Sequence, residues 1–234
     1  MNVVLLDLDG TLTRSEQGII AALKKSYEAM ELPVPDQTEL RRFIGPPISE
    51  SFRRNDVPEE LVAVGVKAFR DYYGDLAVFD DPNNPGHKVP GKYCSTLYPG
   101  IMDELQKLHD AGYRLSVASC KPEYQAIPVC EHFGLSPVLD DVFGASRDGK
   151  VKSKEQVILH GFDELGFSKA HGDQALMVGD RWTDADGAKA AGLDCLGCGW
   201  GYAEPGELQE HGVYRVIDHV DELADAVEEY FLRR

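Results

Sequence analysis

The fold is decided by residues 4–11, Val-Leu-Leu-Asp-Leu-Asp-Gly-Thr. An apolar run that predicts a buried strand ends here in two carboxylates, and a glycine follows them at once. Burying a carboxylate at a strand end is costly unless a cation or a hydrogen-bond network compensates its charge. Two acids beside a glycine that permits a sharp turn therefore indicate a site for a metal ion and an anion. Capping of a turn by Asp7 and Asp9 is the plainer alternative, and these eight residues alone leave both interpretations open.

The length and charge of the chain limit the classes of protein and partner. Its 234 residues are enough for one large domain, or for one domain with a moderate insertion. A formal net charge of −16 argues against a nucleic acid or an anionic membrane as the main partner. A small anionic substrate is compatible with that charge if a metal ion and nearby basic side chains reverse the potential inside the site.

Neither export nor membrane insertion is predicted. Met1 leads directly into the first strand without a signal peptide, and no run approaches the roughly 18 apolar residues of a membrane helix. Cys195 and Cys198 have C-x-x-C spacing but lack the second pair that a structural zinc site requires. We expect reduced thiols in a cytoplasmic protein, with zinc or redox use of this pair as the weaker interpretation.

Strand-like and helix-like patterns alternate through most of the chain, which predicts βαβ units and a parallel sheet. Predicted strands cover residues 3–8, 113–118, 138–143, 175–178, 194–197 and 215–217. Predicted helices cover residues 100–110, 123–132, 154–165, 183–191 and 220–231. The predicted fold class is therefore α/β, with a three-layer, Rossmann-like core around a parallel sheet.

A helical block interrupts this alternation after the first strand. Residues 15–74 show consecutive amphipathic helix patterns and no convincing strand, so we expect an inserted all-α cap domain. Residues 75–97 are rich in Pro, Gly, Asn and Asp and predict a linker or hinge loop. Residues 1–14 and 98–234 then form the core.

Further polar side chains follow other predicted strands. Ser119 ends the second core strand, and Lys154 begins the helix after the third. Another apolar strand ends in Gly179-Asp180-Arg181-Trp182-Thr183-Asp184, which again contains spaced acids. Ligands of open parallel sheets bind at the carboxyl ends of the strands, where these side chains would converge. Taken alone, each of these side chains is explained by a helix cap or a surface charge. Taken together, such explanations would have to apply independently to all four motifs, so a shared site is the better interpretation.

The ordered motifs resemble those of the haloacid-dehalogenase-like hydrolase superfamily. They are Asp7-x-Asp9-Gly10-Thr11, Ser119, Lys154 and Gly179-Asp180-x-x-x-Asp184. Four stretches are similar to the phosphoglycolate-phosphatase-like branch: residues 7–13, 43–47, 98–100 and 178–181. The resemblance covers essentially the whole chain, and it is specific for the superfamily but only weakly specific for the substrate.

This resemblance implies a phosphatase that uses Mg²⁺ and an aspartyl-phosphate. Asp7 would be the nucleophile. Asp9 would protonate the leaving group and then activate water. Mg²⁺ would be held by Asp7, the main-chain carbonyl of Asp9 and Asp180, while Asp184 orients a metal-bound water or Lys154.

Phosphate binding is assigned by the same resemblance to Ser119 and Lys154, with help from Thr11 and the amides around Gly10. Lys150 and Lys152 compete with Lys154, but residues 153–158 best match the start of the family's helix. Cys120 stands where relatives often carry Ser or Asn.

The substrate is expected to be a small phosphorylated metabolite, with phosphoglycolate or a nucleoside 5′-monophosphate as the first candidates. Arg14, Arg42 and Arg53 are the candidates for substrate specificity, and ordinary surface charge is their plainer interpretation. Two alternatives stay open: a sugar-phosphate mutase similar to β-phosphoglucomutase, and a regulatory protein that keeps the fold without catalysis. Asp9 argues against dehalogenases, which lack this second acid. The sequence does not predict an oligomeric state.

Overall fold

A computed structural model describes residues 1–233. Its strands are, in chain order, β1 (Asn2–Leu6), β2 (Phe79–Asp80), β3 (Lys88–Val89), β4 (Arg114–Pro122), β5 (Asp141–Ala145), β6 (Gln174–Gly179), β7 (Asp194–Cys198) and β8 (Arg215–Ile217). Its α-helices are α1 (Glu16–Ala29), α2 (Gln37–Arg41), α3 (Ile48–Arg54), α4 (Glu59–Arg70), α5 (Ile101–Asp110), α6 (Glu123–His132), α7 (Lys154–Leu165), α8 (Trp182–Ala190), α9 (Glu207–Glu210) and α10 (Leu223–Leu232).

The chain forms two compact units. The core unit joins residues Met1–Leu12 to the residues from Leu97 onward, and the inserted unit is Thr13–Thr96. Within the described residues, the core unit contains one parallel sheet in the order β5-β4-β1-β6-β7-β8. This arrangement confirms the predicted α/β fold class.

The strand β1 lies at the centre of that sheet. Its residues from Val3 to Leu6 are fully buried, as expected for a strand of a parallel sheet covered on both faces. On one face, Leu5 and Met177 pack in the same core cluster as Ile158 of α7. The chain leaves β1, forms β4 and β5 on one side, and returns to form β6 on the other. Because the strand order reverses at β1, the carboxyl end of β1 is the position where such sheets bind ligands.

Most predicted elements of the core unit agree with the structure within two or three residues, and α6, α7 and β8 have the predicted bounds. The largest difference is at the end of β4, which was predicted at residue 118 and is found at Pro122. Both ends of β5 are also shifted, from the predicted 138–143 to Asp141–Ala145. Val138 is buried but lies in a turn, and its N–H donates to the Leu135 carbonyl. A short apolar run therefore marked burial correctly without distinguishing a strand from a buried turn.

The inserted unit is mainly helical. Its core includes Tyr27, Phe43 and Phe52, whose rings meet edge to face with centroids 5.6 to 6.3 Å apart. The helix α4 ends at Arg70, and the chain continues as a π-helical turn over Asp71–Asp75.

Residues 75–97, expected to be a linker, contain more structure than a loop. β2 and β3 pair antiparallel there, with Phe79 opposite Val89, and a 3₁₀ turn follows at Gly91–Tyr93. The connecting turn is closed by the Asp81 N–H, which donates to the His87 carbonyl at 3.0 Å. Asn, Pro and Gly favour hairpin turns as well as hinges, so composition did not separate the two. The roles of residues 15–74 as a cap and of residues 75–97 as a hinge stay predictions.

Cys195 and Cys198 are free thiols buried in β7. Burial raises the pKa of both thiols well above their ordinary value. Protonated thiols are poor nucleophiles and poor metal ligands, which favours reduced, structural cysteines here. No helix within residues 1–233 has both the length and the apolar character needed to span a membrane.

Candidate active site

Three buried carboxylates meet beyond the ends of β1 and β6. One oxygen atom from each of Asp7, Asp180 and Asp184 lies within 4.8 Å of the other two. Asp7 follows β1 and donates its N–H to the Val178 carbonyl of β6 at 2.9 Å. Asp180 follows β6, and Asp184 lies in the first turn of α8. Pairing of β1 with β6 thus unites acids from distant parts of the sequence.

Lys154 is the cation of this acidic cluster. Its Nζ atom lies 2.8 Å from Asp7 Oδ1 and 2.7 Å from Asp184 Oδ1, and it donates to the Ala118 carbonyl at 2.7 Å. Burial disfavours the charged ammonium, but Asp184 and Asp7 outweigh this effect and raise the pKa of Lys154 above its ordinary value. Lys154 is therefore cationic, and it is held at the N-terminus of α7 by the capping box of Ser153.

The negative charge of the cluster is not balanced by Lys154 alone. Three carboxylates and one ammonium leave two uncompensated negative charges when all four groups are ionised. Burial, together with repulsion between the acids, raises the pKa of Asp180 well above its ordinary range and that of Asp184 to about 6. A divalent cation would supply the missing charge.

The ligand atoms fit such a cation. Oδ1 of Asp7 and Oδ1 of Asp184 are buried and make no hydrogen bond of favourable geometry, although both lie at ion-pair distance from Lys154. Carboxylate oxygens are hard ligands, which magnesium and calcium prefer. The unsatisfied oxygens and the unbalanced charge together match a divalent metal site.

The carboxylate of Asp180 is tightly enclosed. A Cβ atom on Gly10 would lie 2.2 Å from Asp180 Oδ2, and one on Gly201 would lie 2.2 Å from Asp180 Cβ. Thr11 donates its hydroxyl to Oδ1 at 3.1 Å, and the Tyr202 N–H donates to Oδ2 at 2.7 Å. Gly10 also has a φ of +96°, which favours glycine. These contacts hold both oxygens of Asp180 in place.

Asp184 fixes the loop between β6 and α8. Its Oδ2 atom accepts hydrogen bonds from the N–H groups of Asp180 and Arg181 at 3.1 and 3.0 Å. A Cβ on Gly179 would lie 2.3 Å from Asp184 Cγ, so the backbone approaches this carboxyl group closely. Asp184 therefore contacts both Lys154 and the backbone of Asp180.

The two remaining lysines of the 150–154 stretch lie elsewhere. Lys150 forms an exposed ion pair with Asp148 at 2.9 Å, and Lys152 is exposed. Lys154 is the one of the three that reaches the acidic cluster.

The predicted phosphate-binding hydroxyls differ in their surroundings. Ser119 is buried in β4, and its Oγ accepts the Lys121 N–H at 3.3 Å. Thr11 is fully buried, and its hydroxyl donates to Asp180. Its side chain therefore contacts one candidate metal ligand, and its role in phosphate binding stays a prediction.

Asp9 pairs with a lysine that the sequence did not single out. Nζ of Lys121 lies 2.9 Å from Oδ1 and 2.7 Å from Oδ2 of Asp9. The side chains are only 4% (Lys121) and 12% (Asp9) exposed. One indication that Lys121 belongs to the site is present in the sequence, which is its position directly after Ser119 and Cys120 at a predicted strand end. A lysine there is more often a surface residue, so position alone did not identify it.

A second unpredicted ion pair supports the loop after β6. Arg181 Nε donates to Glu207 Oε1 at 2.8 Å, and the same oxygen accepts the Trp182 N–H at 2.8 Å. Burial opposes ionisation of Glu207, but the hydrogen bond and charge of Arg181 lower its pKa below the usual value. The pair anchors the start of α8 beside Asp180.

The three arginines expected to set specificity belong to the inserted unit and are exposed. Arg53 donates to both carboxylate oxygens of Glu59, at 2.8 and 2.7 Å. Arg42 follows α2, and the Arg14 N–H donates to the Thr96 carbonyl at 2.7 Å. The roles of Arg14, Arg42 and Arg53 in specificity stay predictions.

Known proteins are similar to this chain in sequence and in fold. A family profile described as haloacid dehalogenase-like hydrolase matches residues 4–198. The tyrosine-protein kinase PtkA of Mycobacterium tuberculosis is 32% identical over 228 residues, which cover 96% of this chain and 72% of that protein. A 5′-nucleotidase of Pseudomonas aeruginosa is 31% identical over 209 residues, covering 89% and 87% respectively.

Similarity also extends to a phosphoglycolate phosphatase and to a solved structure. The phosphoglycolate phosphatase of Mesorhizobium japonicum is 30% identical over 242 residues, covering 99% of this chain and 96% of that protein. The crystal structure of a predicted phosphatase from Clostridium acetobutylicum has a TM-score of 0.85 at 34% identity, covering 97% of this chain and 98% of that one.

Proposed function

The chain belongs to the haloacid dehalogenase-like hydrolase family, and on that premise we propose that it hydrolyses a small phosphomonoester with Mg²⁺. The observation that carries the proposal is the charge of the buried cluster. When ionised, Asp7, Asp180 and Asp184 exceed Lys154 by two negative charges, which a divalent cation would offset. The similar phosphoglycolate phosphatase and 5′-nucleotidase support a phosphate ester as the substrate.

The metal would be held by the carboxylates of Asp7 and Asp180 and by the main-chain carbonyl of Asp9. When bound, Mg²⁺ would reduce the repulsion between the Asp7 anion and the phosphate. Thr11 and the Tyr202 N–H keep Asp180 oriented for this purpose. Asp184 holds Lys154 and the loop that carries Asp180.

The reaction would proceed in two displacements. An oxygen of Asp7 attacks phosphorus, the ester bond breaks, and Asp9 gives its proton to the departing alkoxide. Water then attacks the aspartyl-phosphate, Asp9 takes the water proton, and the Asp7 carboxylate is restored as phosphate leaves. Lys154 and Ser119 would bind the transferring oxygens and stabilise their charge in the transition state.

A second candidate is transfer of the phosphoryl group to a protein hydroxyl. It is favoured by the similarity to a protein named as a tyrosine kinase. The same nucleophile would serve both reactions, which differ in whether water or a hydroxyl accepts the phosphoryl group. The sugar-phosphate mutase alternative differs from hydrolysis in the same way.

Phosphate release by the full chain tests the proposal. p-Nitrophenyl phosphate, phosphoglycolate and nucleoside 5′-monophosphates are supplied with Mg²⁺ or with EDTA, using wild type and the Asp7→Asn variant. We expect release that needs Mg²⁺ and falls in Asp7→Asn by on the order of 10³-fold or more. Asp163→Asn, at an exposed position of α7, is the matched control. Equal turnover by Asp7→Asn and wild type would contradict the proposed nucleophile.

A further inference from the structure

The Asp9–Lys121 pair is separate from the ion pairs of the acidic cluster. Lys154 contacts Asp7, Asp184 and the Ala118 carbonyl, whereas Lys121 places its ammonium on both oxygens of Asp9. A buried ion pair is weak evidence for stability, because desolvation of both charges offsets their attraction. The geometric effect is clearer, since contacts to both oxygens restrict rotation of the Asp9 carboxylate.

The pairing of β4 with β5 is irregular where the chain carries Lys121. β4 pairs with β5 at Ala118 and again at Pro122, with an irregularity between them that contains Lys121. A Cβ on Gly144 of β5 would lie 2.6 Å from the Lys121 carbonyl, so the close approach requires glycine. Such irregularities redirect side chains and are common beside active sites. Here the irregularity contains a lysine whose ammonium is buried against Asp9.

We propose that Lys121 is the positioning residue for Asp9, fixing its carboxyl group toward the leaving-group oxygen of the substrate. This inference rests on the proposed function, in which Asp9 is the acid and base. Displacement of a reacting group by about 1 Å can cost on the order of 10²-fold in rate. Loss of Lys121 therefore acts on proton transfer through Asp9 more than on attack by Asp7.

The dependence of rate on the leaving group separates these two effects. Phenyl phosphate releases a phenolate as basic as that of tyrosine, whose pKa is about 10, so it needs the proton from Asp9. p-Nitrophenolate is far less basic and departs with little help. The constant kcat/KM covers all steps up to release of the phenol, and therefore reports this difference.

The experiment measures kcat/KM for both esters with Mg²⁺ in wild type, Lys121→Met, Asp9→Asn and the double variant. We expect Lys121→Met to lose about tenfold more on phenyl phosphate than on p-nitrophenyl phosphate. In the Asp9→Asn background, Lys121→Met should cause little further loss, because the group that it positions is absent. Lys152→Met, at an exposed position nearby, is the control and should match wild type.

Two results would overturn the inference. One is an equal loss on both esters, which would make Lys121 a ligand of the phosphate itself. The other is full additivity of Lys121→Met and Asp9→Asn. If Lys121→Met does not fold, Lys121→Arg answers the same question, because its larger guanidinium keeps the charge but moves the donor atoms. A loss selective for phenyl phosphate supports positioning, and an equal loss overturns it.

The proposed function is tested separately by assaying Asp7→Asn beside these variants. Wild type must hydrolyse p-nitrophenyl phosphate with Mg²⁺, and Asp7→Asn must not. Failure of that comparison contradicts the proposed function. If that comparison succeeds but Lys121→Met loses equal activity on both esters, only the inference about Lys121 is contradicted.

Discussion

Nζ of Lys154 lies 2.8 Å from Oδ1 of Asp7, so the candidate nucleophile is in direct contact with a buried cation. Both side chains are at least 95% shielded from solvent. The contact joins the end of β1 to the start of α7. It holds Asp7 in place and offsets part of the negative charge that would otherwise repel a phosphate.

Replacement of Lys154 by Met is therefore expected to destabilise the protein. Asp7 and Asp184 would lose their shared counter-ion, and breaking such a buried pair typically costs about 3–5 kcal/mol in the free energy of unfolding. Urea unfolding measures this cost, with Lys152→Met as the exposed control. A Lys154→Met protein as stable as wild type would show that the cluster does not need this cation.

Mg²⁺ should raise the stability of wild type. A metal that binds only the folded state stabilises it by about 2.7 kcal/mol when its concentration is a hundred times the Kd. Thermal unfolding with Mg²⁺ and with EDTA measures the shift, which should largely disappear in Asp180→Asn. Asp163→Asn should keep the full shift. An unchanged shift in Asp180→Asn would remove Asp180 from the ligand set.

Replacement of Gly10 by Ala should disrupt the carboxylate of Asp180. The new Cβ would lie 2.2 Å from Asp180 Oδ2, and the positive φ adds strain of about 1–2 kcal/mol. Gly149→Ala separates these effects, because Gly149 also has a positive φ but its Cβ would meet no atom within 4 Å. We expect only Gly10→Ala to lose the Mg²⁺-dependent shift in Tm. Equal behaviour of the two variants would mean that the clash has no effect on the site.

The Arg181–Glu207 pair should make stability depend on pH. Burial opposes ionisation of Glu207, but Arg181 holds the pKa of Glu207 below its usual value near 4.5 in the folded protein. Its contribution is therefore complete above that value and is lost as the pH falls through the lower, folded-state pKa.

Glu207→Gln tests this pH dependence. The variant should be less stable than wild type at pH 7 by about 1–2 kcal/mol, and the difference should shrink below pH 4. Urea unfolding at several pH values measures the difference, with exposed Glu210→Gln as the control. A difference that grows with acidity would contradict the predicted sign.

Much of this site was predictable because its chemistry is concentrated at strand ends. Asp7 and Asp180 each follow an apolar run, and parallel pairing of β1 with β6 brings their carboxylates together. Lys154 was favoured over its neighbours by its place at a helix start, and it is the lysine that contacts Asp7. The family resemblance added the order of the motifs along the chain, which no single motif shows by itself.

The remaining features depend on contacts that sequence patterns do not encode. The Asp9–Lys121 pair requires a local irregularity in β4, and nothing in the sequence of one strand predicts which residue will be redirected. The β2–β3 pair arises in a stretch whose Pro, Gly and Asn suit either a hinge or a hairpin. Arg181 and Glu207 lie far apart in the chain and meet only through tertiary packing.

Direct detection of phosphate on Asp7 is the sharpest test of the account. The Asp9→Asn variant is incubated with p-nitrophenyl phosphate and Mg²⁺, quenched in acid and digested, and its peptides are analysed by mass spectrometry. Because water is no longer activated, phosphate should accumulate on the peptide that contains Asp7. Phosphate release by wild type, with no phosphate on Asp7 in either protein, would contradict the account.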